Sequence, residues 1–349
     1  MKSIPRLISL ATTNPKHILH QKDVLPAASE HFSSNNPSFN RLMKVYMNAN
    51  IETRRSCVDL DWYKHEHTFS ERNSLYLEHG LNLIEEVTNK AISSANLNAN
   101  DIDAVVTVSS SGIATPSLDA LLIDRMNFKN NTIRLPIFGL GCVGGVVGLS
   151  RAANIAQAYD GKNVLLVVLE LCGLTFRHND FSKSNIVATA LFADGAAAAI
   201  INTKGNGLSI TASGEYTWPK SLDIMGWDVK NDGLAVVFSK DIPTLVRKKF
   251  RFALNCFLED NNLYFSDIDN FICHPGGSKV VDALEEVLEL HQGELQYSRE
   301  ILREYGNMSA VTVLFVLEKE ILANNKSFNL VSSLGPGFTA GFLTLDARK

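Results

Sequence analysis

Short unbroken apolar runs alternate along the chain with longer stretches in which apolar positions recur at roughly every third or fourth residue. The runs are Asp103–Ser109 (DAVVTVS), Asn163–Leu169 (NVLLVVL), Ala196–Ile201 (AAAAII), Asn270–Cys273 (NFIC), Leu330–Ser333 (LVSS) and Gly341–Leu345 (GFLTL). Continuous rather than alternating hydrophobicity predicts strands covered on both faces. The longer stretches, Ser74–Ser94, Gly144–Ala158, Leu245–Leu258 and Lys279–Leu290, predict helices with an apolar stripe. Strands and helices in alternation predict an α/β fold with largely parallel strands.

The pattern also repeats. In each half an acid-rich helix leads to a buried strand, then to a Gly-containing turn and a small-residue helix. The first such turn carries Cys142; the second is Tyr305-Gly-Asn-Met-Ser-Ala-Val-Thr-Val-Leu-Phe-Val-Leu317. A duplication would set Cys142 and Asn307 at related helix starts facing a shared centre. The expected division is 1–212, carrying the cysteine, and 213–349, carrying a histidine and the asparagine. Tyr216–Pro243, with its Trp-Pro and Gly-Trp pairs, reads as connecting structure.

Composition narrows the setting. The chain has 349 residues, 45% of them apolar, which is enough for two packed lobes or one large α/β unit. A formal charge of −4 gives no general attraction to nucleic acid or anionic lipid. No apolar segment approaches the ~20 residues of a membrane-spanning helix. The amino-terminal apolar stretch is short and lacks a small-residue cleavage pattern, so a cytoplasmic protein is expected. Five scattered cysteines without a CxxC pair form neither a disulfide framework nor a zinc site. His65 and His67 have strand-like spacing but no evident third ligand, so no metal is expected there.

Candidate chemistry begins at Cys142, in Phe138-Gly-Leu-Gly-Cys-Val-Gly-Gly-Val-Val-Gly148, directly before a small-residue helix. Free backbone N–H groups and the positive end of a helix favour a thiolate, and the surrounding glycines leave room for a thioester. A free cysteine at such a place can equally be a small buried hydrophobe. Ile272-Cys-His-Pro-Gly-Gly277 ends a predicted strand with His274 and turns sharply. Asn307 follows Gly306 and opens the second small-residue helix, where an N-cap is the ordinary job for Asn. Together, a thiolate, an imidazole and a carboxamide can attack a thioester and hold its carbonyl oxygen. Loss of CO₂ would supply a carbanion without a carboxylate base, so no cofactor is called for.

These residues stand among GLGCVGG, Leu191-Phe-Ala-Asp-Gly-Ala-Ala-Ala198, Met225-Gly-Trp-Asp-Val229, HPGG, GNMSA and Leu334-Gly-Pro-Gly-Phe338, with Ala11-Thr-Thr-Asn-Pro-Lys-His17 near the start. The set resembles the type III polyketide synthases, the chalcone/stilbene synthase-like family, over nearly the whole length. The resemblance implies a thiolase-like, five-layered αβαβα fold from two duplicated halves, a homodimer, and acyl-CoA and malonyl-CoA as substrates. It implies that Cys142 takes the starter acyl group, while His274 maintains the thiolate and joins Asn307 in decarboxylating malonyl-CoA. Phe192 falls at the family's gatekeeper aromatic, with a core Phe as the alternative. Ser309 and Gly337 fall where the cavity is lined. Arg41 and Lys44 lie where the family puts basic residues for the CoA phosphates, or form a solvated helix face.

Departures point to the starter. Val236 stands at the place of the plant enzymes' second gatekeeper Phe, which widens the passage. Leu169-Glu-Leu-Cys-Gly-Leu-Thr-Phe176 resembles the bacterial alkylpyrone and alkylresorcinol synthases, where a small residue at the Cys172 position opens an acyl tunnel. Inert core is the other reading of Cys172. Thr115 replaces a Met that in plant relatives reaches into the neighbouring subunit. The expectation is an iterative condensing enzyme acting on fatty acyl starters, with a single-condensation ketosynthase of fatty-acid initiation as the alternative. A thiolase reading would need a second acid/base cysteine near GPGF, and no cysteine follows Cys273.

Overall fold

The computed structural model describes residues 3–33, 43–323 and 326–348. Its strands fall into two sets. One comprises β1 (Arg6–Thr13), β4 (Ile102–Val108), β5 (Ile133–Ile137), β6 (Asn163–Leu171) and β7 (Asp194–Asn202). The other comprises β8 (Leu208–Thr217), β11 (Asn270–Cys273), β12 (Phe328–Gly335) and β13 (Thr339–Asp346). They run β11-β12-β13-β8-β1-β7-β6-β4-β5, and the sets touch only where Arg6 and Leu7 meet Ser209 and Leu208. Two smaller ribbons pair β2 (His17–His20) with β3 (Thr53–Ser56), and β9 (Met225–Lys230) with β10 (Gly233–Phe238).

Within each set the pairing has one pattern. β1–β7 and β7–β6 are antiparallel and β6–β4 is parallel; β8–β13 and β13–β12 are antiparallel and β12–β11 is parallel. The expectation of largely parallel strands is therefore corrected, since only β4–β5, β4–β6 and β11–β12 run in the same direction. An unbroken apolar run reports helices on both faces of a strand, and those helices are present whichever way its neighbours point. The division expected at 212/213 falls inside β8.

Layers follow from what each helix touches. Helices Gly144–Ala158 and Thr312–Leu322 lie between the two strand sets, in contact with strands of both. Their small and branched residues make the central core, in which Leu149, Ala152, Val311, Val313 and Leu314 are fully buried. Helix Phe69–Ser94 covers the outer face of the first set. Helices Arg251–Asp260 and Ser278–Val287 cover the second. The result is the mixed α/β, thiolase-like αβαβα sandwich. Tyr216–Pro243 does more than connect: it contains the β9–β10 hairpin, whose inner side chains border the site described next.

Candidate active site

Both central helices start from a single 3₁₀ turn, Gly141–Val143 before one and Ser309–Val311 before the other, and the two turns pack together. A Cβ on Gly145 would collide with the Ala310 carbonyl, so glycine at this position lets the two helix starts approach. Cys142 lies in the first turn and Asn307 just ahead of the second. β11 delivers the third group. Its ladder continues through the His274 N–H, which donates to Ser332 O at 2.9 Å, before Pro275 and the glycines turn the chain. Cys142, His274 and Asn307 line one cavity of about 20 Å³, together with Met225, Phe238 and Ile242.

Asn307 is held in two ways. Its N–H donates to Leu191 O (2.8 Å), and its C=O accepts from Ala193 N–H (3.0 Å), bridging it to Phe192. Its Oδ1 accepts from Ser309 N–H at 2.8 Å, a local turn just ahead of the cap position, which is Met308, while Nδ2 donates to Gly276 O at 3.1 Å beside His274. Cys142 is 7% exposed, and the Asn307 and Ser309 side chains face its thiol. Burial dominates nonetheless and pushes the thiol from its ordinary 9.0 to about 12. That change corresponds to roughly 4 kcal/mol, more than the ~1–2 kcal/mol a helix end returns. His274 is pushed down to about 3, also by burial, and neither of its ring nitrogens has a partner among the described residues. Burial of the cavity thus works against the thiolate that the helix start and the Asn307 and Ser309 side chains favour.

A second, larger cavity of about 90 Å³ lies beyond Phe192. Cys172, Phe192 and Val236 line it, together with Leu19, Val24 and Phe32 from the amino-terminal segment. Phe192 therefore stands between the two spaces, bridged to Asn307 on one side and open to the chamber on the other. The β9–β10 hairpin forms the rest of the partition. Val236 faces the chamber and Met225 and Phe238 the thiol cavity, while Trp227 meets Phe192 edge-to-face at 6.2 Å. Trp227 Nε1 donates to Ser110 O at 2.8 Å, and Arg177 clamps the Asp232 carboxylate at the hairpin's turn with bonds of 2.9 and 2.7 Å.

Residues 4–205 match the family model "Chalcone and stilbene synthases, N-terminal domain", and residues 210–347 match its C-terminal counterpart. The chain belongs to the chalcone and stilbene synthase family. It is 35% identical to the putative chalcone synthase of Bacillus subtilis (strain 168), over 98% of this chain and 99% of that one. It is 36% identical to the 1,3,6,8-tetrahydroxynaphthalene synthase of Streptomyces peucetius subsp. caesius, over 87% of this chain and 83% of that one. The solved structure of the 1,3,6,8-tetrahydroxynaphthalene synthase of Streptomyces coelicolor A3(2), a bacterial type III polyketide synthase, superposes with a TM-score of 0.93 at 29% identity. That match covers 98% of this chain and 99% of the other. This chain is a type III polyketide synthase, an acyl-transferring condensing enzyme.

Not every expected residue joins this synthase's two cavities. Ser309 lines neither, although its side chain faces the Cys142 thiol. Thr115 is exposed and reaches neither cavity of its own chain. Gly337 sits in the turn between β12 and β13 and lines neither; Leu334, at the end of β12, does. Lys44 is exposed on the short helix Lys44–Asn48, away from both, and Arg41 lies outside the described residues. Among the described residues no group of three or more His, Cys, Asp or Glu side chains gathers as a metal site would. His67 stacks on Trp62 at 4.1 Å.

Of the buried ionisable side chains that the sequence reading did not single out, three lie beside the two cavities. Glu170 is fully buried in β6, accepts from Ser110 N–H at 3.2 Å, and acts electrostatically on Cys142; burial raises its carboxyl to about 7. Asp194 is raised to about 6 by burial and accepts from the Cys57 and Gly173 N–H groups at 2.9 and 2.7 Å. Arg54 of β3 is 4% exposed and lines the chamber. The first two carried a signal, since an acid inside or at the head of an otherwise apolar strand is out of place unless something holds it. Arg54 lies in a polar-looking segment that gave none.

Proposed function

We propose that this synthase loads a medium- or long-chain fatty acyl group from acyl-CoA onto Cys142, extends it iteratively with malonyl-CoA, and releases an alkylpyrone or alkylresorcinol. The Cys142 sulfur attacks the starter's thioester carbonyl as its proton passes to His274, and the CoA thiolate leaves with a proton. Malonyl-CoA then gives up CO₂, and its thioester oxygen takes on negative charge facing the His274 and Asn307 N–H donors. The resulting carbanion attacks the acyl thioester and the Cys142 sulfur departs, leaving the lengthened chain as a CoA thioester that is transferred back to Cys142, with release of CoA, for the next extension. Decarboxylation supplies the carbanion, so the chemistry asks for no cofactor. Moving the thiol proton to the imidazole inside a buried cavity costs energy, which the bond formed between the sulfur and the thioester carbon in the same step offsets.

The apolar chamber behind Phe192 carries the starter assignment. An alkyl chain entering it gains ~0.8 kcal/mol per buried CH₂, so a handful of methylenes outweighs any other feature of the starter. Arg41 and Lys44 would hold the CoA phosphates from outside. A homodimer is supported by the free edge of β5, where Ile133 and Phe138 are 40% and 60% exposed and Ile113 nearby is 48% exposed. Analytical ultracentrifugation showing only monomer at micromolar concentration would refute that part. The free cysteines suit a reducing cytoplasm. Incubation with malonyl-CoA and acyl-CoA starters of graded length tests the whole reading. The expected result is acyl-dependent CO₂ release and products with two or three added malonyl units. Release without an acyl starter, or products with one added unit only, would overturn it.

A further inference from the structure

Arg54 is a charged side chain that the fold leaves poorly satisfied. Its Nη1 donates to Phe192 O at 2.9 Å, while its Nε is buried without a partner among the described residues. A guanidinium offers five N–H donors in a fixed fork, and one buried without partners is costly. Asp194 acts on it through space, but that carboxylate is already taken up by the Cys57 and Gly173 N–H groups. The side chain's position is tightly defined. A Cβ on Gly306 would press on Arg54 Cγ and Cδ, so the stem runs directly behind the Gly306–Asn307 step, and the head reaches Phe192 and the chamber wall.

The chamber around it is mostly apolar. A saturated acyl chain that filled the chamber would exclude water from Arg54 and offer its donors nothing. A chain carrying an oxygen near its thioester end would do the opposite. If the enzyme extends acyl groups with malonyl units, on which this inference rests, each extension places a keto oxygen on the carbon two along from the thioester carbonyl. We propose that Arg54 is a specificity-determining residue that donates to a keto oxygen of the extended chain, so that the chamber holds 3-oxoacyl chains in preference to saturated ones. The first condensation product would thus be retained for a second extension instead of escaping.

The test is a binding ratio that needs no turnover. With Cys142→Ala to prevent acylation, dissociation constants are measured for dodecanoyl-CoA and 3-oxododecanoyl-CoA. The CoA portion is common to both, so the ratio isolates the oxygen. The expected result is about tenfold tighter binding of the 3-oxo compound, the scale of one charge-assisted hydrogen bond. Adding Arg54→Met should bring the ratio to about one while leaving dodecanoyl-CoA binding within a few-fold; Arg54→Lys, which keeps the charge without the fork, should fall between. Circular dichroism melts accompany each variant. If the Met variant fails to fold, the parent ratio decides: equal affinities for the two ligands would overturn the proposal, as would a preference that survives in a folded Arg54→Met. A 3-oxo preference in a protein that makes no acyl-primed ketide would sink the proposed function and leave the Arg54 assignment standing.

Discussion

The two cavities on either side of Phe192 are built differently. The thiol cavity draws its three chemical groups from places the halves share: the turns that begin the two central helices, and the end of β11. The chamber draws its walls from segments without a counterpart in the second half, including helix Gln21–Ser33, the β2–β3 ribbon and the stretch after β6. The candidate catalytic groups sit where the repeated parts meet, and the chamber proposed for the starter where the halves diverge. This separation means that changes in one cavity should be read in different observables from changes in the other.

Removing the sulfur is the sharpest way to test that separation. Cys142→Ala should lower ketide formation by at least about 10⁴-fold and abolish the acyl-enzyme seen by intact-protein mass spectrometry, with CoA binding retained. Surviving turnover would move the chemistry out of the thiol cavity. Asn307→Ala should cost about 10²–10³-fold in malonyl-CoA decarboxylation, with starter loading much less affected. Equal losses in both steps would mean that the side chain only holds the Ser309 turn and the Gly276 carbonyl in place.

Glu170 tests how dry the thiol cavity is. Its carboxyl is raised from 4.5 to about 7, so the folded protein keeps the proton where the unfolded chain has lost it. That stability is fully present below pH 4.5 and is lost as pH rises to about 7. Glu170→Gln removes this slope, so urea melts should show the variant gaining on the parent by roughly 3 kcal/mol between pH 4.5 and 8. His274, lowered to about 3, gives the opposite slope, lost as pH falls from 6.5, but both proteins carry it and it cancels. A pH-independent difference would contradict the burial argument. On the chamber side, Val236→Phe should reduce the ratio of C12 to C4 starter use about tenfold, the worth of two excluded methylenes. An unchanged ratio would place the alkyl chain elsewhere.

What the sequence disclosed follows the same division. Cys142, His274 and Asn307 sit at strand ends and helix starts, where local pattern dictates position, and the sequence singled out as candidates the three residues that line one cavity. Six of the nine strands of the large sheet were legible too, because a run such as NVLLVVL has one sensible environment. Strand direction was not, since burial on both faces is blind to it. The chamber was visible only through Phe192, Val236 and Cys172, whose neighbours arrive from more than a hundred residues away. Hidden too was the burial of the thiol. A helix start is a local feature that favours the anion, whereas the desolvation that opposes it depends on how many distant segments close over Cys142.

The most direct check of the account is a crystal structure of the protein after incubation with dodecanoyl-CoA alone. The account predicts a thioester on Cys142 Sγ with the alkyl chain passing Phe192 into the chamber lined by Cys172 and Val236. A chain running from Cys142 in any other direction, or density on a different residue, would contradict it.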